Sequence, residues 1–483
     1  MSRLAFIIYA VAAALPSAAK DACQRISSQI PGTISYPNST IYESSNSYYS
    51  GQERELNPGC IFRPTSTSEV AEFVKSVTAH KDTQFAVRGG GHTLWAGAAN
   101  IEGGITVDMR LMNETKVSSN RDTASLGPGG IYNTIYPQLE VYNLTVMGGR
   151  VPGIGVGGFA TGGGMTFLSR RQGFSCDNVH GYEVVLASGE VVYANETSHS
   201  DLWLALKGGS NNFGIVTRFD VATFPHDLMW YNLVEYNYTD SVLQAQAEAF
   251  SRFMEPENFD DAAMMGIFMD YQGGTHSIYD ALWYADNVAN PAVYDAFTEI
   301  PNNGGLAELT TASDVVDTFG GQIPSTTGRA FQLTYSFENP DADVYMQLFK
   351  IWENSTSAFD DVEGMFAEFL IQPQPVARST NLFGLTPGKT DYVIVDMTAA
   401  YSNESDDALV EKEMNNIVDK QKAVLKSGGY LIDFVYLNYA DISQNVYSTW
   451  GADNVAQLQA VSRKYDPNGV FQHMVPGGYK VFN

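Results

Sequence analysis

Three glycines separate a guanidinium from an imidazole in Arg88-Gly89-Gly90-Gly91-His92, directly after a short apolar run at residues 85–88. Successive glycines let the main chain come close to a ligand and turn several N–H donors toward it, an arrangement suited to a pyrophosphate. A second cluster comprises Gly148-Gly149, Gly153-Ile154-Gly155-Val156-Gly157-Gly158 and Gly162-Gly163-Gly164. Gly153, Gly155 and Gly158 satisfy G-x-G-x-x-G literally. That signature needs a preceding strand and a helix opening on its third glycine, and more glycines arrive here first, so the match is rejected. No G-x-x-x-x-G-K-[ST] is present, which argues against an ATPase. Glycine costs roughly 0.5–1 kcal/mol relative to Ala in ordered elements. Its use at several separate loops therefore points to a large ligand pressed against backbone, of dinucleotide size.

Other chemistries find little support. His180, His276 and His473 are isolated, without metal-ligand spacing, and no His-Glu-x-x-His, Cys-x-x-Cys or Gly-x-Ser-x-Gly occurs. Asp396, inside the apolar run at residues 392–397, reads as a surface or hydrogen-bonding carboxylate. Cys176 lies in apolar surroundings and reads as a buried, inert thiol.

The elements that must position these groups are legible from periodicity. Ser66-x-x-Glu69 has capping-box spacing, and Val70, Phe73, Val74 and Val77 then fall on one helical face. Strands are expected at residues 85–88, 105–109, 183–186, 191–193 and 215–221, with Ser188-Gly189 as a turn. Helical patterns follow at 243–254 and 407–425, where Val410, Met414, Ile417 and Val424 share a face. The last fifty residues read as strand and turn, with a strand at 434–438. The fold class is α+β, with a boundary near Pro225.

The 483 residues carry 28 basic and 54 acidic side chains, a net charge of −26. No basic stripe is present to neutralise phosphates, so nucleic acid is excluded as a partner, and an anionic membrane would repel the chain. One cation, an apolar run at residues 4–15 and small residues before Lys20 match a secretory signal over residues 1–19. Asn38, Asn113, Asn143, Asn195, Asn237, Asn354 and Asn403 head N-x-S/T sequons and are expected to carry glycans in part. Cys23 and Cys60 could close a disulfide in such a lumen, leaving Cys176 free.

Taken in order, Arg88-Gly-Gly-Gly-His92, Gly155-Val-Gly-Gly158, Gly162-Gly-Gly164, Asp177-Asn-Val179 with Glu183 to Gly189, and Gly209-Ser-Asn-Asn-Phe-Gly-Ile215-Val216 resemble the berberine-bridge-enzyme-like flavoproteins. These are of the vanillyl-alcohol-oxidase type with a PCMH-type FAD domain, and the resemblance covers residues from about 58 to 478. It implies an FAD domain at 20–226 (core about 55–226), a substrate domain with an antiparallel sheet covered by helices at 227–433, and a segment at 434–483 returning to the FAD domain. It also implies FAD contacts from Arg88, Gly89, Gly90, Gly91, His92, Gly153, Gly155, Gly158, Gly162, Gly163, Gly164, Ile215 and Val216, with His92 bonded to the flavin 8-methyl carbon. The family's Gly-x-Cys-Pro is here Gly149-Arg150-Val151-Pro152, so a second, cysteinyl link is not expected. Tyr436-Leu437-Asn438 resembles the family's Tyr-x-Asn strand, whose tyrosine acts as base; residues two apart in a strand face one side. The implied activity is an FAD-linked oxidase removing hydride from an alcohol, phenol-linked or amine carbon of a small secondary metabolite, with O2 as acceptor. Rival readings are an oligosaccharide oxidase, a non-redox cyclase using flavin as scaffold, and a cofactor-free glycosylated binding protein.

Overall fold

A computed structural model describes residues 19–482 apart from 82, 322 and 324–326; the expected signal lies outside them but for Ala19. Strands β1 (Ile34–Ser35), β2 (Cys60–Phe62), β3 (Phe85–Arg88) and β4 (Ile105–Asp108) form a sheet of order β1-β2-β4-β3. Only β1 and β2 run antiparallel. Helix α1 (Thr67–His80) crosses over from β2 to β3. It starts where Ser66 Oγ accepts from Glu69 N at 3.3 Å, while the Glu69 carboxylate reaches back to Thr65 N at 2.6 Å. Val70, Phe73, Val74 and Val77 are wholly buried, each contributing about 1.5–3 kcal/mol of apolar burial. The helix ends on Lys81 in a left-handed conformation. A Cys23–Cys60 disulfide, with 6.2 Å between Cα atoms, ties the helix at residues 19–29 to β2.

A second, antiparallel sheet contains β5 (Thr115–Val117), β6 (Thr123–Leu126), β7 (Val179–Val185), β8 (Val191–Asn195) and β9 (Ile215–Ala222) in the order β5-β6-β9-β7-β8. The expected turn joins β7 to β8, with Gly189 at φ +75° and its N–H on Leu186 O.

The third sheet has eight strands: β10 (Met229–Tyr236), β11 (Ala263–Gln272), β12 (Thr275–Tyr284), β13 (Gly305–Thr310), β14 (Arg329–Glu338), β15 (Phe366–Pro373), β16 (Tyr392–Tyr401) and β17 (Leu431–Ile432). Their order is β13-β10-β12-β11-β15-β16-β14-β17, antiparallel throughout. Side chains alternate across this sheet. One face presents Leu333, Tyr335, Phe369, Ile371, Val393, Val395 and Met397 to the helices α2 (Asp240–Phe253), α3 (Ala342–Glu353) and α4 (Asp407–Gly428), forming one continuous core. The opposite face carries Gln332, Glu368, Gln372, Asp396 and Thr398 beside Phe268, Leu370 and Ile394, which join the apolar core of the second sheet.

Residues 49–55 fasten the first sheet's loops to the start of β14. Gly51 N donates to Gly328 O at 2.6 Å, Arg54 Nη2 to Thr327 O at 2.7 Å, and the Gln52 side chain pairs with the Ala330 backbone.

Two expectations for the C-terminal part do not hold. Residues 434–438 form no strand; Leu437–Tyr439 is a 3₁₀ turn whose side chains bond to the glycine loops instead of to a neighbouring strand. Residues Ala452–Tyr465 form a helix, α5. Only Leu458, Val461 and Ser462 are buried along it, too few to leave a periodic signature.

Candidate active site

The two glycine clusters touch each other through main chain. A β-carbon at Gly90 would lie 2.6 Å from Gly155 N, and one at Gly155 only 2.3 Å from Gly90 N. Gly89 and Gly157 are in ordinary contact with each other, and a β-carbon at either would lie 3.2 Å from Pro128 O. Gly90 and Gly155 are therefore demanded by the contact between the loops themselves. Gly91, at φ +75°, is pressed on Arg88 and Tyr48. Gly158 keeps open space where a side chain would stand.

What the first loop offers a ligand is donors. Among the described residues, the backbone N–H groups of Gly90, Gly91, His92, Thr93 and Leu94 have no acceptor; Gly91 is buried and the other four residues are half-buried. A run of free amides after a strand is an anion cradle. Arg88 adds nothing to it. Its guanidinium bonds the carbonyls of Ser45 and Ser47, stacks on Tyr48 at 3.8 Å and packs against Gly91, so it clamps residues 45–48 to the loop. Ile215 and Val216 lie in β9, paired with Val185 and Val184 and buried.

His92 stacks on Tyr49 with ring centroids 3.9 Å apart. The residue as a whole is half-buried. Burial pushes its pKa down to about 4, outweighing the nearby Pro152 carbonyl. The imidazole is therefore neutral at physiological pH and has a lone pair available for bond formation. Gly153, at φ +82°, lies against it: a β-carbon there would be 3.3 Å from His92 Cδ2. Free amides and a neutral imidazole on one loop fit a dinucleotide with an electrophilic ring carbon. Val151, half-buried nearby, can form no covalent bond.

Gly162, Gly163 and Gly164 face the C-terminal turn. A β-carbon at Gly162 would collide with Asn438 Oδ1 and one at Gly163 would approach Tyr436 at 3.1 Å, so these glycines make room for side chains. Tyr436 OH accepts from Gly164 N at 2.9 Å and from Asn438 Nδ2 at 3.1 Å. The expected pair does meet, through a turn and not along a strand. Tyr436 is only 2% exposed, its ring lies 5.9 Å from Phe174, and burial drives its pKa far above the ordinary phenol value. Among the described residues, no cation bonds its oxygen.

Tyr439, one turn further, has different surroundings. Its oxygen accepts from Arg150 Nη2 at 2.9 Å and from Gln372 Nε2 at 3.3 Å. The Arg150 guanidinium also lies 5.3 Å from the Trp283 ring, and the Gln372 Oε1 atom is buried without a donor. Behind them the opposite face of the third sheet carries a polar row. By register Ser277 is opposite Asp270, Asp270 opposite Glu368, Glu368 opposite Thr398, and Thr398 opposite Gln332. Burial raises Asp270 to about 7 and Glu368 well above the usual carboxylate range, with their mutual repulsion adding to the latter. Tyr49, stacked on His92, feels the Glu368 charge, which joins this row to the histidine wall. Asp396 is not a surface carboxylate. It is 7% exposed, accepts from Gln332 at 2.8 Å and Thr398 at 3.2 Å, and is raised to about 7 by burial. The motifs missed Tyr439, Arg150, Gln372, Asp270 and Glu368; the available signal was a single acid inside each of two apolar strands.

A cradle of free amides, a neutral imidazole and an acidic, aromatic wall thus border one part of the molecule. Residues 58–195 match the FAD binding domain model, and residues 435–475 the berberine and berberine-like model. The chain is 33% identical over 456 residues to FAD-dependent monooxygenase tpcD of Cochliobolus heterostrophus, covering 90% of this chain and 87% of that protein. It belongs to the berberine-bridge-enzyme-like FAD-linked oxidoreductases. The same fold is seen in 6-hydroxy-D-nicotine oxidase from Arthrobacter nicotinovorans, with 20% identity, TM-score 0.76, and 92% and 96% of the two chains covered. It recurs in the glucooligosaccharide oxidase of Acremonium strictum, described with a 6-S-cysteinyl, 8α-N1-histidyl FAD, with 17% identity, TM-score 0.75, and 94% and 97% covered.

Two outcomes follow from this geometry. Gly155→Ala forces the loops apart, and the purified variant carries less than half the flavin absorbance per chain of the parent; full flavin content would show the contact to be dispensable. A carboxylate raised on folding stabilises the fold below its unfolded pKa and loses that contribution as pH climbs through the folded value. Asp270→Asn is therefore more stable than the parent at pH 8, by roughly 2–4 kcal/mol, and equal to it near pH 4. Urea unfolding at both pH values checks this.

Proposed function

We propose that the chain is an FAD-dependent oxidase, with the flavin linked through His92 alone, that oxidises an alcohol, phenol-linked or amine carbon of a small secondary metabolite. The placement of the Tyr439 oxygen carries this reading: it sits between an amide and a cation whose own loop meets His92 three residues later. Arg150 and Gly153 are separated by about 10 Å of extended chain at most, so phenol and imidazole serve one recess. We assign proton removal to Tyr439 in place of Tyr436, because its oxygen has a cationic partner and its side chain keeps accessible surface. A substrate hydroxyl or amine gives its proton to that oxygen as the adjacent carbon loses hydride. The flavin supplies the hydride acceptor, and O2 takes both electrons with two protons to leave as hydrogen peroxide. Asp396, Asp270, Glu368 and Gln332 then orient polar groups of the substrate, and Phe268, stacked on Tyr279 at 4.7 Å, offers aromatic surface.

The name of the curated relative favours a second reading, in which one oxygen atom enters the product. Turnover of a panel of benzylic alcohols, benzylamines, phenols and cello-oligosaccharides under ¹⁸O₂ separates the readings. We expect one peroxide per oxidised aromatic substrate and no label in the product. Label in the product would replace the oxidase assignment by monooxygenation, and fast oxidation of the sugars would overturn the substrate class. Tyr439→Phe lowers kcat by about 10²–10⁴-fold, whereas Tyr436→Phe acts chiefly on stability.

We place the protein in a secretory lumen. The disulfide supports this, as do the sequons: Asn38, Asn113, Asn143, Asn237, Asn354 and Asn403 are exposed. Asn195 is half-buried, with its Oδ1 accepting from the Thr197 and Ser198 amides. Endoglycosidase treatment of the secreted protein lowers its apparent mass; an unchanged band contradicts the assignment.

A further inference from the structure

Arg150 occupies the variable position of Gly149-Arg150-Val151-Pro152, and its guanidinium joins three parts of the recess: its own loop, the C-terminal turn and the third sheet. One Nη2–H bonds the Tyr439 oxygen at 2.9 Å, and the cation lies over Trp283 on β12 at 5.3 Å. Asp396, an acid that feels the Arg150 charge, is bonded by Gln332 and Thr398 and not by Arg150. The guanidinium is thus a cation without a carboxylate partner, and the remaining N–H groups of its five have no protein acceptor among the described residues.

The phenol it touches has the complementary deficit. With Arg150 and Gln372 both donating, the acceptor capacity of the Tyr439 oxygen is filled, and no described residue accepts the Tyr439 proton. Protonated, Tyr439 keeps an unsatisfied O–H; ionised, it is satisfied by one charged and one neutral donor. The charged or titratable groups facing it are Arg150 from the glycine loop, Asp396 from β16 and Tyr436, with ring centroids 5.0 Å apart, from its own segment. Arg150 is the only cation among them.

We propose that Arg150 is a positioning residue that sets the ionisation of Tyr439, holding the phenolate oxygen toward the substrate and being itself held over Trp283. This inference rests on Tyr439 as the proton acceptor. An opposite charge within about 4–6 Å lowers a pKa by roughly 1–3 units. Burial, the largest effect, and Asp396 hold Tyr439 above the ordinary phenol value, and Arg150 and Gln372 oppose them.

The test is an ultraviolet difference titration of the flavinylated protein at the tyrosinate band. Subtracting the Y439F spectrum at each pH isolates one phenol. We expect R150M and R150Q, each referred to its own Y439F double variant, to move that midpoint upward by about one unit or more, or out of the alkaline range in which the fold survives. R150K is expected to restore most of the shift. An unmoved or lowered midpoint in whichever neutral variant retains flavin overturns the proposal. If neither neutral variant folds with flavin, R150K decides: loss of the tyrosinate signal in a cationic variant overturns the electrostatic role, and its retention supports it. Peroxide formation by Y439F separates the two levels. An active Y439F sinks the proton-acceptor reading, whereas an inactive Y439F with an unmoved midpoint in the Arg150 variants sinks only this inference.

Discussion

Main chain packed directly on main chain, at Gly90 against Gly155 and Gly89 against Gly157, holds this site together. With no side chain between them, the loop after β3 and the loop before residues 156–161 are fixed relative to each other at backbone precision. The contact keeps the run of free amides at residues 90–94 open and sets Gly153 against the His92 ring. From Gly153 the same loop runs back three residues to Arg150, and so to Tyr439. One interface between two glycine loops thus sets both ends of the recess, and a methyl group in it displaces each.

The third sheet supplies the opposite wall by a simple asymmetry. Its strands alternate strictly, so filling one face with Leu, Val, Ile, Phe and Met under three helices forces the alternate residues to the other side. Those alternates include three acids and two glutamines. In an ordinary two-layer domain such a row would face water. Here it faces the glycine loops, and burial keeps Asp270, Glu368 and Asp396 from ionising readily. The stability lost by sinking carboxyl groups in this wall leaves donors and acceptors available to a substrate.

How much of this was legible follows from the range of each interaction. The glycine clusters, His92 and the faces of α1 and α4 are local patterns, and the chain folds at those places as its periodicity implies. The purpose of the glycines was only half legible, because the contact of Gly90 with Gly155 spans 65 positions and no local pattern records it. The pairing of Asp270 with Glu368 is a register between β11 and β15, nearly a hundred residues apart. Each acid alone is an odd residue in an apolar strand; together they are a wall of the site. Tyr436 drew attention through its motif, while Tyr439 is distinguished only by Arg150, which stood at a position the motif leaves free. The helix at residues 452–465 was missed because it buries so little of itself.

The most direct test of the account is peptide mapping of the purified protein by mass spectrometry, locating every flavin-bearing residue. The account predicts that the peptide spanning residues 89–110 carries FAD on His92 and that the peptide containing Val151 carries none. Flavin attached elsewhere, or an unmodified His92 peptide from yellow protein, would contradict it.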